Sequence, residues 1–465
     1  MYDYPTYGND LEVQGDWWLP GHSRKKVKGS LKISVSDGSR LRLMGQLPRT
    51  TGKPLIIPGV PHTHEVINGI TTKGIRMSLV DCRVTHYALS GNETEYIADE
   101  VIADWHAKAK KQVSFHKVAI SFTDFEEWLD IKQMDIKASF SNGAYNIASR
   151  EPFLKEYEIN GNSKIQIYSE CYIKELLAVQ TSASLIQSAQ FIIQGKKEQP
   201  FEIFRDMVNK IRTLLCFANQ AAVYPEKITG YSKRNTGSSP TGGTYEIPMD
   251  IYFRQMERLP KTEKDSRRYI LFSFRQIEDY FAQVINNVLS KYDVLGPLFE
   301  SYLPWYYLKK TYFEYRFLAL VIGLERFHRM KYGGCELPET QHKARLDEIM
   351  SGVSKEHLKW LKDKLQYSNE LTLRKRLREI LQKYHNVLVG LYGDSDKLVQ
   401  RTVETRNHLV HGGNDAEYVA RTGEERWALL YGLETIIDGC LMCELGIPNS
   451  RARQLLSESR KLVRV

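Results

Sequence analysis

A chain of 465 residues is long enough for two to four domains with cores of their own, and a hydrophobic content of 42% sets it apart from disordered proteins. The formal charge of +9 leans toward polyanionic partners, although at this size it acts through a general field and not a recognition code. No apolar run approaches the roughly 20 residues that span a bilayer, the start MYDYPTYGND lacks the basic and apolar regions of a signal peptide, and the six cysteines are sparse and irregularly placed, as in a reducing compartment. The expectation is a cytoplasmic protein with no membrane partner and no disulfide framework.

Residues 1–195 read as strand-rich. Lys28 to Val35 alternates with period two, Asp37-Gly38 is a turn dipeptide, and Arg40 to Met44 resumes the alternation, so a hairpin is expected. Further strand candidates are Thr72 to Val80, Ala88-Leu89 with its flanks, Gln112 to Phe122 and Ile165 to Tyr168, while Thr181 to Ile193 suits a strand or a short helix. The product is a twisted antiparallel sheet or a sandwich. Trp17-Trp18 could stack on a flat ligand, but in a strand-rich domain paired aromatics more often anchor the core. His62-x-His64 could turn two imidazoles to one side of a strand, yet no cysteine or carboxylate cluster nearby completes a metal site. Phe125 to Leu129 reads as a short amphipathic turn or helix.

Residues 196–268 form a mixed connecting region. Phe201, Phe204, Val208, Ile211, Leu215 and Phe217 recur at helical spacing. Residues 230–244 hold four glycines and a proline among serines and threonines; without the complete phosphate-cradle pattern they suit a flexible linker or a hairpin tip. Tyr245 to Phe253 is read as one strand and Pro260 to Arg268 as a polar connection.

From residue 269 to 465 the pattern becomes helical. Ile270 to Leu289 and Tyr312 to His328 carry apolar residues on a helical period, and the second is so apolar that it reads as the central buried helix of an all-helical domain. Glu325 closes that run; it either orients an active-site cation or histidine or emerges into solvent. Trp360 to Lys383 concentrates Lys362, Lys364, Arg374, Lys375, Arg376, Arg378 and Lys383, a density that could guide a phosphate backbone or simply solvate a helix face. In the last long helix, Glu424 to Leu445, Cys440 and Cys443 are read as core cysteines, since neither a helix start nor a second ligand pair accompanies them.

Arg406-Asn407-His408-Leu409-Val410-His411, followed by Gly412-Gly413, closes a polar run compatible with helix. Arg406 is a permanent cation with a fixed donor fork, and His411 brings an imidazole, a group that can both accept and donate a proton; together they suit phosphodiester cleavage. Five helical positions separate the two by roughly 140° around the axis, so convergence requires an opened helix end or a second subunit.

With the Gly15 to Gly21 segment (GDWWLPG), Phe125 to Leu129 and the Phe317 to His328 helix, this motif resembles the HEPN superfamily and, more closely, the bacterial ApeA family of anti-phage HEPN proteins. The likeness covers most of the chain. It implies an α+β protein in which a strand-rich sensor or regulatory region precedes an all-helical HEPN-like ribonuclease domain. Arg406 and His411 would be catalytic, Asn407 would assist their placement, and His408 and Glu325 would be supporting candidates. The resemblance further implies an RNA substrate, with tRNA among the candidates, no cofactor or metal, a homodimer or higher homo-oligomer, and a phage-derived trigger. The alternatives are a non-catalytic RNA-binding regulator and a protein-interaction module.

Overall fold

A computed structural model describes residues 10–34, 36–48, 63–88, 92–139, 144–159, 161, 163–173, 184–240, 242–255, 270–308, 310–412 and 417–463. The chain divides into two compact units, Met1–Leu215 with Val223–Ser266 and Ser273–Arg275, and Cys216–Ala222 with Arg267–Phe272 and Gln276–Val465.

The first unit is built from β1 (Leu11–Trp18), β2 (Val27–Ser34), β3 (Gly38–Leu43), β4 (Thr63–Thr71), β5 (Arg76–Tyr87), β6 (Thr94–Ala98), β7 (Glu100–Ala103), β8 (Ser114–Phe122), α1 (Phe125–Leu129), β9 (Met134–Ser139), β10 (Ala144–Ser149), β11 (Phe153–Ile159), β12 (Ser163–Ile173), β13 (Leu185–Pro200), α2 (Phe201–Asn219), β14 (Pro225–Tyr231), β15 (Thr236–Ser238), β16 (Thr244–Glu246) and β17 (Met249–Phe253). Thirteen strands form one sheet in the order β11-β12-β13-β8-β14-β17-β7-β5-β4-β1-β2-β3-β6, and β9–β10 and β15–β16 are separate hairpins.

The sheet is neither open nor a sandwich at its β1 end. Residues Met77 to Val80 of β5 pair with β7, whereas Arg83 to Tyr87 pair with β6, so β4, β1, β2, β3 and β6 close a ring on β5. Asp81, in the left-handed region at φ 51°, marks the handover. Inside the ring Leu31, Ile33, Leu41, Leu43, Ile67, Leu79 and Tyr96 surround Trp17, whose indole N–H donates to the Gly29 carbonyl at 3.2 Å. Trp17 is fully buried, so it packs and does not present a face to a ligand.

The β2–β3 hairpin matches the sequence expectation, with Ser34 opposite Gly38 and Gly38 at φ 83°. Thr72 to Val80 is corrected: Thr71 to Gly74 is a turn, closed by a Gly74 N–H to Thr71 carbonyl bond of 2.8 Å, and β5 starts only at Arg76. Of the His62/His64 pair, His64 lies buried on β4 against the Tyr96 ring, 5.7 Å between centroids, and His62 lies outside the described residues. So do Leu89 and the Pro260 to Arg268 connection. The Tyr245 to Phe253 segment falls in two strands, not one: β16 reaches Glu246 and β17 starts at Met249, and the β15–β16 hairpin spans Thr236 to Glu246. Phe125 to Leu129 is a helix whose Phe125 and Trp128 rings pack on Phe191 of β13.

The second unit is helical: α3 (Phe274–Ile277) borders it, followed by α4 (Phe281–Ser290), α5 (Tyr292–Tyr302), α6 (Phe313–Tyr332), α7 (Glu339–Ser351), α8 (Lys355–Leu365), α9 (Leu373–Lys383), α10 (His385–Leu388), α11 (Ser395–His411), α12 (Gly423–Leu445) and α13 (Asn449–Val463). Its central helix is α12, not α6. From Gly432 to Met442 every α12 residue is buried, including Glu434 and Asp438, as expected of a helix enclosed on all sides. Two glycines admit the neighbours: a Cβ at Gly432 would stand 2.9 Å from Leu398 of α11, and one at Gly439 2.5 Å from Leu388 of α10. By contrast α6 buries Phe317, Leu320, Val321, Leu324 and Phe327 but leaves Tyr315 and Ile322 exposed. Arg316 of α6 joins Glu434 of α12 at 2.5 Å, an ion pair that fixes which α6 face turns inward. Cys440 is fully buried in the core, whereas Cys443 is half-buried; burial pushes the Cys443 thiol up to about 11, so it stays protonated.

Candidate active site

The capping chemistry of α11 sets where the motif falls. Asp394 accepts from the Asp396 and Lys397 backbone N–H groups at 2.9 and 3.1 Å and starts the helix. Leu398, Val399, Thr402 and Thr405 supply its buried stripe. Gly412, at φ 74°, ends it by donating to the His408 carbonyl at 3.0 Å. The returning chain is tied back to the same helix: the Tyr418 N–H donates to Glu404 at 2.9 Å and the Ala420 N–H to Thr405 at 3.0 Å. Thr422 and Glu425 then form a capping box that opens α12, with Arg401 3.3 Å from Glu425. Glu404 and Thr405 are structural supports of this helix end that the sequence reading missed; a fold-back bond from a polar helix residue leaves no periodic signal.

At this anchored end Arg406 Nη1 lies 3.2 Å from Asn407 Oδ1 and 3.4 Å from His411 Nε2. The two side chains expected to need an opened helix or a second subunit therefore meet within one chain, because the long arginine side chain wraps around an intact last turn. A guanidinium has only N–H donors, so His411 Nε2 must accept here, with its lone pair available and the ring proton on Nδ1. Asn407 and His411 are exposed and Arg406 is half-buried. His408 stands on α11 one turn before His411, half-buried.

Glu325 is elsewhere. It lies 4.0 Å from Arg376 and from Arg329, and Arg329 is 2.8 Å from Glu370; the structure does not bring it to Arg406 or His411. Arg376 departs from the expected RNA-binding surface, for it is fully buried. Its guanidinium donates to the carbonyls of Leu371, Gly333 and Gly334 at 3.0, 3.3 and 3.3 Å and to His328 Nδ1 at 3.2 Å. That contact puts the His328 proton on Nε2, which donates to Glu379 at 2.8 Å. Burial, and then Arg329, draws the Arg376 pKa down, against the pull of Glu325, Glu370 and Glu379.

The remaining basic residues are on α8 and α9. Lys375 pairs with Glu336, Arg378 with Asp396 at 3.0 Å, and Lys383 lies over the Tyr332 ring at 4.4 Å. Lys362 and Lys364 are exposed on α8 and Arg374 is half-buried at the start of α9. Among the described residues, no three His, Cys, Asp or Glu side chains gather as a metal would require, and no helix is long and apolar enough to cross a membrane.

A helical domain carrying an Arg-x4-His motif at a solvent-facing helix end is the architecture of a HEPN domain, a nuclease-associated class. Residues 318–451 match the Apea-like HEPN family model, and residues 12–288 match ApeA N-terminal domain 1. The second match alone spans more than half of the sequence, and the chain belongs to the ApeA family. No curated protein and no solved structure matches it.

Proposed function

We propose that the chain is an endoribonuclease of anti-phage defence, acting in the cytoplasm and triggered by infection, that cleaves RNA, with tRNA among its candidate substrates. The observation that carries this reading is the 3.4 Å contact between Arg406 and His411 at the exposed end of α11. An arriving phosphate draws the guanidinium onto its oxygens and leaves His411 Nε2 beside the ribose. The 2'-oxygen then bonds to phosphorus while the bond to the 5'-oxygen breaks. His411 takes the 2'-hydroxyl proton, Arg406 stabilises the charge developing on the phosphate, and Asn407 holds the guanidinium in place. Because the ribose supplies the nucleophile, the step needs neither a protein nucleophile nor a metal-bound water. The products are a 2',3'-cyclic phosphate and a 5'-hydroxyl.

The leaving 5'-oxygen takes up a proton in the same step, and His411 of a second copy of the chain donates it. In support of a homodimer, α6, which packs against α11, exposes Tyr315 (66%), Ile322 (52%) and Met330 (51%) at positions compatible with one helix face. The test compares wild type with Arg406→Ala and His411→Ala on tRNA, rRNA and mRNA, mapping cut positions and end chemistry. Either variant cutting as well as wild type overturns the assignment, and so does cleavage of RNA with a deoxyribose at the cut site.

A further inference from the structure

The first unit contains a cavity of about 830 Å³ lined by Ser36, Asp37, Arg205, Asn209, Arg212, Pro225, Phe253, Arg254 and Gln255. Its chemistry is one-sided. Arg205, Asn209 and Arg212 stand at i, i+4 and i+7 on α2 and so form one row on that helix. Arg254 follows β17; its stem packs over Gly38, 3.8 Å from a Cβ built there, and its Nε donates to the Ser36 carbonyl at 3.0 Å. Arg205 is braced from behind by the buried Glu100, at 3.1 Å. Arg205 and Arg254 are thus held in position before any ligand arrives. Against three arginines the lining sets one carboxylate, Asp37.

We propose that this cavity binds a phosphorylated small molecule of nucleotide size. Arginine is the side chain whose planar fork matches phosphate oxygens two at a time. The volume falls within the range of small-molecule sites, and Phe253 and Pro225 give the lining an apolar side with an aromatic ring for a flat ligand. The α2 row is legible in the sequence only with hindsight, because Arg254 and Ser36 reach the cavity from distant parts of the chain. The inference concerns the first unit and stands whether or not Arg406 and His411 cleave RNA.

The experiment is calorimetric titration of the full-length protein with ATP, AMP and inorganic phosphate. ATP and AMP should saturate a single site, with inorganic phosphate at least about tenfold weaker. Arg212→Ala and Arg254→Ala should each weaken nucleotide binding by about tenfold or more, the effect of losing a charge-assisted pair. Asp37→Asn should tighten it severalfold, a gain that misfolding cannot imitate. The proposal is overturned by the absence of saturation with either nucleotide up to millimolar concentration. Equal affinity for inorganic phosphate, affinities unchanged in the two arginine variants, or an arginine-dependent site that takes an RNA oligonucleotide but not ATP would overturn it too.

Discussion

Arg376 separates two accounts of the basic segment between Trp360 and Lys383. As a phosphate contact its removal would weaken RNA binding; as a buried clamp its removal destabilises the second unit. Arg376→Ala strands three backbone carbonyls and the Nδ1 of His328 in a site from which the side chain is fully excluded from solvent. An orphaned buried polar group costs about 1–3 kcal/mol, and breaking a buried charged network costs about 3–5 kcal/mol once the site relaxes. For a unit of this size, about 2–4 °C per kcal/mol puts the expected drop in melting temperature at about 6–20 °C. Arg378→Ala is the control, since its pair with Asp396 is exposed on both sides and contributes little. Thermal melts followed by circular dichroism read the stability. Salt titrations of binding to a non-cleavable RNA read the phosphate contacts, each worth about 0.7 in the slope of log affinity against log salt for a single strand. An unchanged melting temperature with a slope reduced by that amount would refute the clamp.

Arg406→Lys keeps the charge but loses the donor fork, so RNA binding should persist while the cleavage rate falls by about 100-fold or more; equal rates would count against a phosphate-holding fork. Ile322→Asp places a charge on the exposed α6 face and should yield a monomer by light scattering that no longer cleaves, and an active monomer would exclude the two-chain centre. Gly69→Ala should cost at least about 2 kcal/mol, because its Cβ would fall 2.1 Å from the Trp17 ring; denaturant melts check this, and no loss would mean that Trp17 has room to move. Burial raises the Glu100 pKa from 4.5 to about 7, so its neutral form favours the fold: the extra stability is complete below pH 4.5 and is lost as pH rises through 7, at most about 3 kcal/mol. Glu100→Gln should flatten stability against pH across that window, and an unchanged slope would remove Glu100 as the cause.

The strand-then-helix architecture was legible because its signals are local. The alternation of Leu31, Ile33, Leu41 and Leu43 around Asp37-Gly38 specifies one hairpin, and the Phe201 to Phe217 spacing specifies α2. Ring closure was not legible, since it depends on β5 changing partners at Asp81, and a strand carries no mark of its second neighbour. Composition also misassigned the central helix. An apolar helix looks the same whether its outer face meets a core or a partner, so Tyr315 and Ile322 made α6 read as enclosed; α12, interrupted by Glu434, Asp438 and two glycines, is the one surrounded. Those glycines are the clue that was available, for small residues let helices approach closely.

The same reasoning applies to charge. Seven basic residues crowd one stretch of sequence, yet Arg376 binds carbonyls in the interior, Lys375 and Arg378 are paired with Glu336 and Asp396, and Lys383 lies on an aromatic ring. Three arginines scattered over fifty residues instead converge on one cavity in the first unit, where Asp37 in the lining and Glu100 behind Arg205 are the carboxylates named against them. Linear density therefore overstates the field that a polyanion meets, because folding buries or pairs part of that charge. What attracts a phosphate is the imbalance that remains after folding. By that measure the end of α11 and the cavity beside α2 are, among the described residues, two places where arginine stands in reach of an anion.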